Sequence, residues 1–168
     1  LFGDGAGAAV VQAEEGELYP SVAGSDGTMG HVLACESRVQ NDWQKKEADR
    51  KTYIDMDGTA VFKFAVRKMP EMAKSLMTQM HCTEADIDWF ITHQANERII
   101  EAIAKRLKSD IAKFPMNIAE CGNTSSASIP ILLDEMNRRG QLKDGQKIIM
   151  AGFGAGLSWG AVYMEWHA

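Results

Sequence analysis

The chain has 168 residues, with 18 basic and 23 acidic side chains giving a formal charge of −5, and is 45% hydrophobic and 24% charged. A chain of that length and balance can bury roughly 70% of its unfolded surface in a core of its own, and it lacks the strongly basic footprint of a nucleic-acid binder. No stretch reaches the roughly 18 consecutive apolar residues of a membrane span and no secretion signal opens the chain, so the expected location is cytoplasmic.

The opening, LFGDGAGAAVV, has no starting Met and reads as a strand already in progress, as if cut from something longer. Residues 6–12 are small and β-branched, the pattern of a buried strand. Residues 18–23 form a second strand candidate, closed by the turn signal Ser25-Asp26-Gly27, and residues 31–35 a third. Residues 36–57, with the charged run from Lys45 to Lys51, have little periodicity and read as a solvated loop or short helix.

Residues 59–80 carry the first clear helix, with Val61, Phe62, Ala65, Val66, Met69, Met72, Ala73 and Leu76 at spacings of three and four. Pro70 inside that pattern predicts a kink or a break. Thr83 and Asp86 have capping-box spacing, and residues 87–92 alternate as a buried strand does. Residues 96–108 are a second helix with Ile99, Ile100, Ile103 and Leu107 inward, and residues 114–119 suggest a short strand. Residues 128–139 are a third helix, with Pro130 in its first turn and Gly140 at C′. Two strands, 147–152 and 160–166, flank the glycine-rich stretch 153–159. Strand and helix alternate along most of the chain, which favours a layered α/β domain.

Three segments could carry chemistry. His93-Gln94-Ala95-Asn96 lies where a buried strand hands over to a helix, the edge at which open α/β sheets collect ligands. The plainer reading is a hydrogen-bonded strand-end histidine and an Asn96 helix cap. Asn123 follows a glycine and precedes small hydroxylated residues, where a turn asparagine is the plainer reading. Together, amide and imidazole could donate to an oxygen that becomes anionic, as an oxyanion hole does.

The stretch Gly152 to Gly160 offers unobstructed backbone N–H groups but does not fit GxGxxG and leads into a strand, so it gives poor support to a dinucleotide site. Gly3-Asp4-Gly5-Ala6-Gly7 has no lysine and is no P-loop; close packing of a strand pair explains it better. Cys35, Cys82 and Cys121 are odd in number and form no CxxC pair. The histidines His31, His81, His93 and His167 lack ligand spacing, so no metal site is expected.

Taken together and in order, LFGDGAGAAVV, DGTAVFKFAV, HQANERIIEAIAKRL, GNTSSASIPILLDE and GFGAGLSWGAV resemble the carboxyl-terminal half of β-ketoacyl-acyl carrier protein synthase III, a member of the thiolase superfamily. The likeness runs from Leu1 to Trp166 and is weakest over residues 36–53. It implies an α/β thiolase-like half across residues 1–168, a mixed five-stranded sheet with helices packed on both faces. It also implies that the amino-terminal half, which carries the nucleophilic cysteine, is absent from this chain. None of Cys35, Cys82 and Cys121 has that cysteine's surroundings.

The resemblance assigns His93 and Asn123 to the catalytic set, binding the thioester carbonyl of malonyl-carrier protein, and the backbone near Ala155 to the oxyanion hole of the acyl-cysteine. Gly58, Phe62 and Asn96 would line the pantetheine tunnel, and Thr59 departs from the Asn that family members often carry there. The acidic acyl carrier protein calls for a local basic patch, for which Lys63, Arg98 and Lys105 are the candidates, extended by Arg67 and Lys108.

The activity implied is an acyltransferase condensing acyl-CoA, acetyl in the leading case, with malonyl-carrier protein to begin fatty acid synthesis. No cofactor is implied, since coenzyme A and phosphopantetheine enter as parts of substrates. The intact protein is expected to be a homodimer, with neither nucleic acid nor membrane as partner, and the isolated chain to be inactive. The competing expectations are a related synthase of polyketide or quinolone pathways and a non-catalytic half serving dimerisation or binding.

Overall fold

A computed structural model of the chain describes residues 2–13, 15–16, 18–35 and 53–167. Its centre is a four-stranded sheet in the order β1-β6-β5-β4. The strands are β1 (Ser21–Ser25), β4 (Trp89–Thr92), β5 (Lys147–Gly154) and β6 (Ser158–Glu165). β4 and β5 run parallel, while β5–β6 and β6–β1 are antiparallel, so the sheet is mixed. A small ribbon, β2 (Leu33–Ala34) against β3 (Asp55–Met56), stands apart from it.

Alternation on β4 and β5 sends apolar side chains to both faces, as central strands covered on two sides require. Phe90, Ile149, Ala151, Ala161 and Tyr163 join one core with α1 (Gly58–Gln79) and α2 (Glu97–Leu107). Ile91 and Ile148 face the other way, onto Leu132 and Met136 of α4 (Ser128–Arg138). Each of the larger side chains among them, Phe90, Ile91, Ile148, Ile149, Leu132 and Met136, contributes about 1.5–3 kcal/mol by leaving water. The fold is therefore an α/β layer with helices on both faces. Four strands rather than five are seen in the main sheet among the described residues.

The helix ends follow from local chemistry. Asp57 caps α1, its Oδ1 accepting from the N–H groups of Thr59 and Ala60 at 3.0 Å each. The Thr83–Asp86 box forms, with Asp86 Oδ2 accepting from both the N–H and the hydroxyl of Thr83 at 2.7 Å. Gly140 follows α4 at φ +66, and the Gln141 N–H reaches back to the Met136 carbonyl, a Schellman-type stop.

Several expectations need correcting. Residues 6–12 are not a strand among the described residues, because no neighbouring chain takes up their N–H and C=O groups, and Val10 and Val11 are almost fully exposed. Gly3, Gly5 and Gly7 do pack closely, against residues 121–131 rather than a strand partner. A Cβ on Gly3 would lie 1.9 Å from the Cys121 carbonyl oxygen, and one on Gly7 2.4 Å from Pro130 Cγ.

The second strand is shifted to Ser21–Ser25. The third shrinks to Leu33–Ala34, because Gly27–Val32 coils into a 3-10 segment that Asp26 caps. Residues 36–52 lie outside the described residues, and the remainder of that expected loop holds β3. Pro70 does not break α1, which runs on for 22 residues with that ring buried in the core. The expected strand 114–119 is instead a loop leading into a helical turn, α3 (Ile118–Cys121); Phe114 is apolar because it stacks on Phe90, centroids 4.8 Å apart. Much of the glycine-rich stretch is ladder, leaving Ala155, Gly156 and Leu157 as the β5–β6 turn.

Candidate active site

The site grows from the carboxyl end of the parallel β4–β5 pair. His93 follows β4, and its N–H donates to the Ala151 carbonyl of β5 at 2.9 Å. Gln94, fully buried, donates from Nε2 to the Thr92 carbonyl at 2.8 Å and accepts at Oε1 from the Asn117 N–H at 3.2 Å. That side chain ties the His93 loop to the segment leading to Asn123. Asn96 then caps α2, its Oδ1 accepting from the Arg98 N–H at 2.9 Å.

The His93 ring is held on two sides. Its Nδ1 lies 2.7 Å from Ser128 Oγ, and Phe153 meets the ring edge-on at 5.7 Å between centroids. Burial pushes the imidazole below its ordinary pKa, so the ring is neutral at pH 7. Asn123 sits between α3 and α4, and its Oδ1 accepts from the Ser125 N–H at 2.9 Å. The amide oxygen is thus engaged, and the Nδ2 donor is left over. The Asn123 carbonyl accepts from the Gly3 N–H at 3.0 Å, so the amino-terminal segment helps place it.

His93 and Asn123 both open on one cavity of about 1020 Å³. Ala155 reaches it from the β5–β6 turn, Gly58 and Phe62 from α1, and Asn96 and Arg98 from the start of α2. Lys63 also lines it, and no Asp or Glu does among the described residues, so a chain of net charge −5 presents a cationic site. Lys105 is exposed on α2 away from the cavity wall. Of the basic-patch candidates read from sequence, Lys63 and Arg98 line this space, whereas Lys105, Arg67 and Lys108 do not.

From sequence alone Ser128 and Phe153 have no assigned role, although both stand in the quoted motifs, and the apolar wall from Leu33, Ile54 and Met56 is missed. Ser128 is 35 positions from His93, so only the tertiary fold reveals their contact. Burial, the main cause, raises the pKa of the Cys82 and Cys121 thiols, with Asp86 and Glu135 respectively adding repulsion. Neither is primed as a thiolate nucleophile.

Residues 77–166 match the family model described as 3-Oxoacyl-[acyl-carrier-protein (ACP)] synthase III C terminal. A beta-ketoacyl-[acyl-carrier-protein] synthase III of Clostridium novyi (strain NT) is 45% identical over 99% of this chain and 52% of its own length. That of Clostridium acetobutylicum is 42% identical over 99% of this chain and 52% of its own. Among solved structures, the 3-oxoacyl-(acyl carrier protein) synthase III of Pseudomonas aeruginosa PAO1 superposes with a TM-score of 0.80 at 36% identity, covering 95% of this chain and 47% of that one. The priming beta-ketosynthase of the R1128 polyketide pathway gives 0.79 at 32%, covering 88% and 44%. The chain spans about half the length of the curated relatives it matches.

Proposed function

The chain belongs to the β-ketoacyl-[acyl-carrier-protein] synthase III family, and from that membership we propose that it supplies the decarboxylation site of a longer condensing enzyme. The substrates are an acyl-CoA, acetyl in the leading case, and malonyl-acyl carrier protein; the products are a 3-oxoacyl-carrier protein, carbon dioxide and free coenzyme A. Coenzyme A and phosphopantetheine enter only as substrate parts.

His93 Nε2 and Asn123 Nδ2 donate to the malonyl thioester oxygen. As carbon dioxide leaves, negative charge builds on that oxygen, and two fixed donors stabilise the enolate more than the ground state. The enolate carbon then attacks an acyl group held on a cysteine outside these 168 residues, with the Ala155 backbone N–H contributing to the second oxyanion hole. Gly58, Phe62 and Asn96 flank the pantetheine arm, while Lys63 and Arg98, with Lys105 further out along α2, meet the acidic carrier protein. The intact enzyme is a homodimer, and the isolated chain does not turn over.

One observation carries this reading: two donors, each with its other polar atom already bonded inside the protein, open on the same cationic cavity. The test is carbon dioxide release from malonyl-carrier protein by the full-length enzyme. His93→Ala and Asn123→Ala should each lower kcat by roughly 10²–10³-fold, the effect of deleting an oxyanion donor. Near-normal decarboxylation by either variant would sink the reading. Similarity to the R1128 priming ketosynthase supports a second reading, a polyketide-priming enzyme with the same chemistry. Turnover with acetyl-CoA against longer acyl-CoA primers separates the two.

A further inference from the structure

We propose that Ser128 is a positioning residue that sets the tautomer of His93, holding the ring with its proton on Nε2 and facing the cavity. The proposal deepens the reading of His93 as an enolate donor and rests on it. Nδ1 lies 2.7 Å from Ser128 Oγ, a bond that two proton arrangements could make. Either the hydroxyl donates to a bare Nδ1, or a protonated Nδ1 donates to the hydroxyl oxygen.

Two observations choose between them. Ser128 Oγ already accepts from the Gln94 N–H at 3.3 Å, a group that can only donate. A second donor from Nδ1 would leave the Ser128 O–H without an acceptor among the described residues, in a side chain only 2% exposed. Donation from Ser128 to Nδ1 satisfies all three groups at once. Ser128 also begins α4, an 11-residue helix whose amino-terminal end carries partial positive charge. A nitrogen lone pair facing that end is favoured, and an N–H or an imidazolium there is opposed.

The consequence reaches the cavity. With Nδ1 bare, the ring's only N–H is at Nε2, a donor to the forming enolate. The opposite tautomer would present a lone pair to the developing negative charge. Ser128 stands on the first turn of a helix anchored by Leu132 and Met136, so the hydroxyl itself is fixed.

The test uses the full-length enzyme labelled with 15N-histidine, its His93 signals assigned by their loss in His93→Ala. Long-range proton–nitrogen spectra of the unmodified enzyme should show the proton on Nε2. A proton on Nδ1 overturns the proposal, and this readout needs no variant of Ser128 to fold. Ser128→Ala should mix the tautomers and lower kcat for malonyl decarboxylation by about 10- to 100-fold, short of losing the donor itself, with KM within about twofold. Ser128→Thr, which keeps the hydroxyl, should restore the Nε2–H form and most of the rate. A folded Ser128→Ala enzyme with wild-type tautomer and kcat refutes the role. If instead His93→Ala decarboxylates normally, the enolate-donor reading fails while the spectra still decide the tautomer.

Discussion

In the proposed role His93 has to donate a proton in a hydrogen bond without giving it away, which demands a ring that stays neutral while its neighbour turns negative. Burial supplies that neutrality by holding the folded-state pKa below the ordinary imidazole value of about 6.5. The sign of the linkage follows directly. The unfolded ring takes up its proton first as pH falls, so folding stability is intact above about pH 6.5 and declines below it, until the folded ring protonates too. Catalysis should track the same shift. The acid limb of kcat/KM for malonyl decarboxylation, which reports the free enzyme, followed from pH 8 to pH 5 in the full-length protein, should have its midpoint below about 6.5. A midpoint at or above that value would mean that the ring is not held neutral by its surroundings. Asn123 does not titrate, and its amide is oriented by the Ser125 N–H instead, so it adds no limb of its own.

The elements that place these side chains are set mostly by short-range chemistry, and the first turn of α1 is a direct case. Asp57 accepts from two N–H groups that have no partner within the helix, and Asp57→Ala should destabilise the fold by about 1 kcal/mol, read from the denaturant midpoint. An unchanged midpoint would place the stability of α1 wholly in its packing. The Thr83–Asp86 box, the Asn96 cap, the helical spacing of Ile99, Ile100, Ile103 and Leu107, and the β4 alternation were visible in the sequence because each involves residues a few positions apart, whereas the Asp57 cap was read as the end of a loop. What was not visible depends on distant partners. Residues 6–12 have a strand's composition but no ladder, while Gly3 and Gly7 answer to the Cys121 carbonyl and Pro130. Phe114 belongs to an aromatic stack with Phe90, which imitates strand patterning from 24 positions away in chain order. His93 and Asn123 stood out only as parts of motifs, and the Ser128 contact had no local signature at all. Gly3 shows how the levels meet: Gly3→Ala would drive a methyl into the Cys121 carbonyl, two residues from Asn123. That variant should lower decarboxylation by about tenfold or more in the full-length enzyme, since misplacing a donor by about 1 Å can cost 10²-fold. Wild-type kcat in Gly3→Ala would show that the Asn123 loop tolerates the shift.

At the scale of the whole molecule, apolar surface is unevenly spread. The two cores beneath α1, α2 and α4 are closed, yet Val10 is 99%, Val11 92% and Leu18 100% exposed. Val10 and Val11 lie on a segment outside any described helix or strand, and Phe2, Ile54 and Met56 leave further apolar area open. Exposed apolar patches of this kind are covered by partners or by copies of themselves. The matched relatives are about twice as long, so a covering surface is available in proteins of this family. The 168-residue chain produced alone should therefore self-associate, with light scattering after size-exclusion chromatography giving a mass above one chain that grows with concentration. Replacing Val10 and Val11 together by Lys should reduce that association without altering the melting of the closed cores, since neither side chain is buried in them. A sharp single-chain mass across a hundredfold concentration range would mean that residues 2–13 fold back to protect themselves in solution, and that the exposed valines do not mark a surface awaiting a partner.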